Sequence, residues 1–193
     1  MTKRNIIRLV SLIVLLFALG LVFEVRAQTN RYARDGLSFT YPSEWPLSDE
    51  SDATAQSLNL DRGSHEAKIM IVALRRQLNS EQLAAVQPKM IEAITSGLTQ
   101  EIAKLGAQAE RSSISETISG LTAHGVRLRA TFKGETGDAD IYWLCIGGRL
   151  VHVVFVGSEP ERRRAAPAWN MIRATLRIWM PQVAPPAPAA MPD

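Results

Sequence analysis

The chain has 193 residues, 22 Lys+Arg against 19 Asp+Glu, a single cysteine and 46% hydrophobic residues. Residues 1–27 hold four of the basic residues and one of the acidic ones, which leaves eighteen of each and a formal charge of zero beyond them. That balance argues against a nucleic-acid partner, which wants a basic face, and Cys145 alone makes no internal disulfide, so a core must hold the fold together.

Met1 to Ala27 read as a secretory signal peptide: Lys3 and Arg4 lead, an apolar run extends from Leu9 to Phe23, and Val25-Arg26-Ala27 is a small-residue cleavage site. The run between Arg8 and Glu24 falls short of the roughly 20 residues a bilayer span needs. Cleavage near Gln28 and an extracytoplasmic location, periplasmic or secreted, are therefore expected. The rival reading is a retained N-terminal membrane anchor, the one route to membrane contact. A single domain over residues 28–179 follows, then a Pro/Ala-rich tail over 180–193 with too little apolar content to fold.

Asn30 to Ala33 read as a short edge strand that turns at Arg34-Asp35-Gly36. In the next strand Leu37, Phe39 and Tyr41 alternate with Ser38 and Thr40, which puts three large side chains on one face. Pro42 has no N–H for a ladder and ends that strand, and Trp45 is expected to fold back as a buried plug. Ser48 to Asp52 read as a solvated acidic loop. Ala55–Leu60 and Lys68–Leu74 read as a hairpin with a polar connection.

Ser80 reads as an N-cap. After it, Leu83, Val86, Met90, Ile94, Leu98, Ile102 and Leu105 recur at spacings of three and four, one core-facing stripe of a long helix closed by Gly106. Pro88 predicts a kink or two helices.

From Arg111 four strands are expected as a meander, with turns at Ser119-Gly120, Gly134 to Gly137 and Gly147-Gly148. Val126, Leu128, Ala130 and Phe132 alternate with Arg127, Arg129, Thr131 and Lys133. In the next strand Ile141, Trp143 and Cys145 share one face and Tyr142, Leu144 and Ile146 the other, so both faces of the sheet must be covered. Setting Lys133 against Asp138 and Ile146 against Val151 places Val126, Cys145 and His152 in one row, with Arg129, Tyr142 and Phe155 lined up on the opposite face. Ser158-Glu159-Pro160 starts a last helix whose inward stripe is Trp169, Ile172 and Leu176. Pro167 suggests that the packed helix begins there, after a separate turn carrying Arg162-Arg163-Arg164, which reads as a solvated face.

The stretch Gly36-Leu37-Ser38-Phe39-Thr40-Tyr41-Pro42-Ser43-Glu44-Trp45 just after an export signal resembles the start of the PsbP-like and Mog-like superfamily. Its members include the PsbP subunit of photosystem II, Ran-binding Mog proteins and exported bacterial DcrB-like proteins. Tyr142 to Phe155, followed by a last helix, is similar to that superfamily's late hairpin. The resemblance implies an α+β fold, an α/β/α sandwich with a central antiparallel sheet, a long helix on one face and a C-terminal helix on the other. It also implies a binding or assembly role without catalysis.

No phosphate-cradling glycine loop, nucleophile elbow, paired-cysteine motif or His-Glu-x-x-His stands in the chain. His65 lies in a polar loop and His124 is expected to face water. Cys145 and His152, opposite one another in the register above, are the candidate metal ligands, although two ligands do not close a site and a buried structural cysteine is the plainer reading. The expected function is an exported non-catalytic binding or assembly module of the bacterial envelope, its partner an envelope protein, with no catalytic residues and no cofactor. An envelope metal or small-ligand binder and an enzyme with a dispersed site remain as alternatives.

Overall fold

The computed structural model describes residues 28–63 and 67–179, so the signal segment 1–27, His65 and the tail 180–193 lie outside the described residues. The order of elements is β1 (Thr29–Arg34), β2 (Leu37–Pro42), β3 (Leu47–Asp49), β4 (Ala55–Asp61), β5 (Lys68–Leu74), α1 (Ser80–Lys104), β6 (Ala109–Ile118), β7 (Leu121–Phe132), β8 (Glu135–Ile146), β9 (Arg149–Ser158), α2 (Glu159–Thr175) and β10 (Arg177–Ile178). Among the described residues these form an antiparallel seven-stranded sheet in the order β3-β4-β5-β9-β8-β7-β6 and a small sheet in the order β1-β2-β10. The fold is α+β, with α1 on one face of the large sheet and α2, with the small sheet, on the other.

The α2 side holds the main core. Leu37, Phe39 and Tyr41 of β2 are buried as their alternation predicts, and Trp45 joins them. Its N–H donates to the Pro42 carbonyl at 3.1 Å, which closes the turn that folds the indole inward. Trp169 of α2 stacks between Tyr142 and Phe155 at ring distances of 5.7 and 5.1 Å. The helix is also tied to β2, where the Thr40 N–H donates to Thr175 Oγ1 at 2.9 Å. Arg149 pins the β1–β2 turn to the large sheet. Its guanidinium is buried and donates to the carbonyls of Leu74 (2.5 Å) and Asp35 (3.0 Å) and to Gln56 Oε1 (2.6 Å). Burial lowers its pKa from the ordinary arginine value, and the carbonyl dipoles hold the charge in place of a carboxylate.

Several local expectations are corrected. The helix cap is Asn79, not Ser80: the Gln82 N–H donates to Asn79 Oδ1 at 2.8 Å and the Asn79 N–H to Gln82 Oε1 at 3.2 Å, a reciprocal capping box. Pro88 splits nothing, and Pro167 does not delay the start of α2; each lies within one continuous helix. Both prolines are exposed, and so are Ala84 and Arg163, whose carbonyls lose their i+4 donor, so water satisfies what the helix cannot. Part of the acidic loop is a strand, β3, and Asp52 caps the β4 turn by accepting from the N–H groups of Thr54 (2.7 Å) and Ala55 (2.8 Å). Arg162 is not a solvated charge, because it bonds Asp140 and the Phe155 carbonyl and lies 4.4 Å over the Phe155 ring.

The meander register also differs. Lys133 and Gly134 both have positive φ, 51° and 84°, and make a two-residue turn that pairs Phe132 with Glu135. Gly147 and Gly148 do the same at 57° and 76°, pairing Ile146 with Arg149. The shifts from the expected pairing are even, so the side chains keep their faces while every partner changes. Val126 pairs with Ile141 and not Cys145, and Arg127 pairs with Asp140, Arg129 with Asp138.

Candidate functional site

Cys145 and His152 share a face but are not opposite each other. Trp143 faces His152 and Leu150 faces Cys145. His152 is fully buried, neither ring nitrogen has a partner among the described residues, and burial lowers its pKa to about 4. A neutral imidazole in an apolar layer follows. No cluster of three or more His, Cys, Asp or Glu fit for a metal stands among the described residues. His124 is exposed, as expected.

The two faces of the large sheet are covered unequally, and the site follows from that. Against the fully buried stripe of α2, the expected stripe of α1 is only half-buried from Leu83 to Ile102, and Leu105 at its end is 60% exposed. Thr95 is the one fully buried residue of α1, and its hydroxyl has no partner among the described residues. Ile94, Leu98 and Ile102 do reach a small cluster of Val126, Leu128, Ile141 and Val154. The helix thus rests on the sheet along a narrow contact, with space on either side.

Beside the first half of α1 the space is a cleft of about 700 Å³ whose apolar wall includes Pro88, Ile91, Val126 and Trp143 and whose polar lining includes Gln87, Arg111, Ser113 and His124. Glu92 stands there too, 3.7 Å from Arg111 in an exposed pair. Pro88 has a second consequence here, since it leaves the Ala84 carbonyl without its helical donor and both residues line the cleft. Beside the second half a groove of about 480 Å³ runs among Leu98, Ile102, Leu105, Leu128, Phe132 and Val156. Both volumes suit a small molecule, and the first combines an aromatic wall with several hydrogen-bonding groups, as ligand sites do.

On the opposite face the arginines of β7 meet carboxylates of β8. Arg127 binds Asp140 through two bonds of 2.6 and 2.8 Å, Arg129 binds Asp138 through two of 2.8 and 2.9 Å, and Arg162 adds a third bond to Asp140. Asp138 and Asp140 are buried, and the hydrogen bond from Arg129 holds the Asp138 carboxyl below the usual range despite that burial. Each of these three guanidinium groups and two carboxylates has its partners within the fold, which marks the ladder as structural. Among the described residues no helix is long and apolar enough to cross a membrane.

The cleft residues were not singled out by sequence, because Gln87, Arg111, Ser113 and Trp143 come from three separate elements at ordinary spacings. Pro88 was the available signal, a helix position where a backbone acceptor is left free.

No family model matches the chain, and no curated protein matches it significantly. Solved structures do. Cyanobacterial PsbP (CyanoP) from Synechocystis is similar at 15% identity and a TM-score of 0.48, over 79% of this chain and 94% of that one. LpqN, involved in cell envelope biogenesis of Mycobacterium tuberculosis, is similar at 15% identity and 0.41, over 80% and 91%. A protein of Bacteroides thetaiotaomicron is similar at 13% identity and 0.47, over 80% of this chain and 49% of its own length. At such identities and scores no activity or partner carries over.

Proposed function

We propose that the protein is an exported binding module of the bacterial envelope, working without a catalytic step, whose ligand-contacting surface is the α1 side of the sheet. The observation that carries this reading is the cleft of about 700 Å³ held open between α1 and β6–β8. A helix that left such a space for stability alone would forgo the burial that α2 achieves on the other face. The ligand that suits the lining has a flat apolar body for Trp143 and Pro88 and a polar end for His124, Ser113 and Arg111. Export is supported by the Lys3-Arg4 start, the Leu9–Phe23 run and the Val25-Arg26-Ala27 site.

The test isolates the protein from the native envelope fraction and weighs it under non-denaturing conditions, with and without Trp143→Ala and His124→Ala. A bound small molecule retained by the unaltered protein and lost from both variants is the expected result. A protein that carries nothing and whose crosslinked partners lie wholly on the α2 side would reject the reading.

A further inference from the structure

The outer strand β6 offers a second surface, its open backbone edge, beside the cleft that Arg111 and Ser113 line with their side chains. It bonds to β7 on one side and, among the described residues, to no strand on the other. It is ten residues long, contains neither proline nor glycine, and has six exposed residues. The opposite edge of the same sheet, β3, has only three residues. Long flat edges are templates for another strand, and proteins commonly blunt them with proline, bulges or covering elements.

Which backbone groups of β6 are open can be worked out. In an antiparallel ladder alternate residues turn both N–H and C=O outward. The Thr117 N–H donates to the Glu116 carboxylate at 2.9 Å, and the Thr117 carbonyl accepts from Arg173 at 3.4 Å, so Thr117 faces outward and is closed off by side chains. By alternation Ala109, Arg111, Ser113 and Ser115 face outward too, and no loop or side chain among the described residues is bonded to their backbone.

We propose that a second copy of this chain pairs antiparallel along Ala109–Ser115, with Ser112 of one copy facing Ser112 of the other. This register uses the four open residues and no closed one, since Arg111 bonds opposite Ser113 and Ala109 opposite Ser115. On the alternate face Glu110 meets Ile114. The neighbouring registers fail for stated reasons. Centring on Ser113 sets Glu110 against Glu116, and centring on Arg111 sets that charge against itself, both like-charge pairs that destabilise a ladder. Centring on Ile114 requires the closed groups of Thr117. The strand is therefore self-complementary in one register, and its serines at 112, 113 and 115 let two backbones approach. The charge of Arg111 is partly offset by Glu92 within its own copy. Strand addition at an edge is a known recognition mode, and a two-fold axis through Ser112 closes it as a dimer.

The experiment uses the full mature chain in a Cys145→Ser background. Sedimentation over a range of concentrations is expected to show a monomer–dimer equilibrium, and Ser112→Cys should form a disulfide between copies under mild oxidation. Glu116→Cys, which would face Gln108, should not. Ser113→Pro removes an outward N–H without touching the β7 ladder, so it should keep the fold and weaken the dimer about tenfold or more. A monomer at every concentration with no Ser112→Cys crosslink overturns the proposal, as does a dimer that Ser113→Pro leaves unchanged. Crosslinking of Ser112→Cys to a different protein in the envelope fraction, with none between copies, also overturns it. Should Ser113→Pro not fold, the contrast between the two cysteine variants decides alone.

Discussion

Trp143 and His152 face each other across the β8–β9 ladder, and the imidazole between that indole and the rest of the apolar layer has no hydrogen-bond partner among the described residues. The consequence is a pH dependence of stability with a definite sign. Burial lowers the His152 pKa from 6.5 to about 4. The unfolded chain therefore takes up a proton near pH 6.5 that the folded chain refuses until about pH 4. Full stability stands above the unfolded value and is lost as pH falls through that window, by an amount on the order of 3 kcal/mol. The window lies above the range in which Asp138, held low by Arg129, gains its proton. Denaturant unfolding at pH 7.5 and 4.5 is expected to show this loss in the unaltered protein and much less of it in His152→Leu. An equal loss in both would reject the assignment.

Because Leu150, not His152, stands opposite Cys145, the two candidate ligands lack the direct cross-strand placement that a shared metal would favour. Cys145 is half-buried and behaves as a small apolar side chain. Zinc and copper measured in protein from the native envelope are expected to be substoichiometric and unchanged by Cys145→Ser or His152→Leu. A stoichiometric metal lost from either variant would reinstate the pair as a site.

The strands and their faces were legible because period-two alternation is a strong signal and both registers slipped by even numbers. The partners were not legible, for two local reasons. Between Phe132 and Asp138 two glycines compete for the turn, and the choice of Lys133-Gly134 brings Arg127 to Asp140 and Arg129 to Asp138, a gain visible only once both strands are placed together. At Gly147-Gly148 the tight two-residue turn closes on Ile146 and Arg149, whereas pairing Ile146 with Val151 requires a longer one. The α1 stripe was legible as a stripe, but its periodicity says nothing of how far a helix stands from its sheet, so the cleft had to wait for the structure.

The unequal packing of the two faces predicts unequal costs for deleting large side chains. Trp45 is 3% exposed within the main core, and Trp45→Ala is expected to cost about 3–5 kcal/mol. Leu105, at the end of the α1 stripe, should cost less than about 1 kcal/mol as Leu105→Ala. Denaturation midpoints of the two variants measure the contrast. Similar losses at both positions would mean that the α1 side is packed as tightly as the α2 side.

Gly125, in the middle of β7, is a glycine for a steric reason. A Cβ there would lie 2.6 Å from the Ile141 carbonyl oxygen and 2.8 Å from the Tyr142 ring, both closer than real contacts allow. Gly125→Ala must push Tyr142 from its stack on Trp169 or spread β7 from β8, and a loss of about 1–3 kcal/mol is expected from such overpacking. An alanine variant as stable as the original would show that the strands yield at no cost.

The Arg–Asp ladder supplies the last prediction, which separates buried charge from surface charge. Asp140 is 1% exposed and accepts from Arg127, Arg162 and, at 3.4 Å, the Tyr142 hydroxyl. Asp140→Asn keeps the shape and removes the charge, leaving the nearly buried Arg162 without its counterion and Arg127 with only the Asp138 carboxylate at 3.8 Å. Removal of one partner from a buried pair costs about 3–5 kcal/mol, and the partial exposure of Arg127 puts the expectation at the lower end. The exposed pair of Arg34 and Asp49, 3.1 Å apart, is the internal control, and Arg34→Ala should cost less than about 1 kcal/mol. Replacing both Asp140 and Arg127, by Asn and Met, should cost less than the sum of the two single changes, because the second removes a charge that the first left unmatched. Urea midpoints of Asp140→Asn, Arg127→Met, the double variant and Arg34→Ala, each against the unaltered protein, test this directly. Strict additivity, or an Asp140→Asn loss no larger than that of Arg34→Ala, would show that the ladder is solvated in practice and that β7 and β8 are aligned by their turn and their apolar face alone.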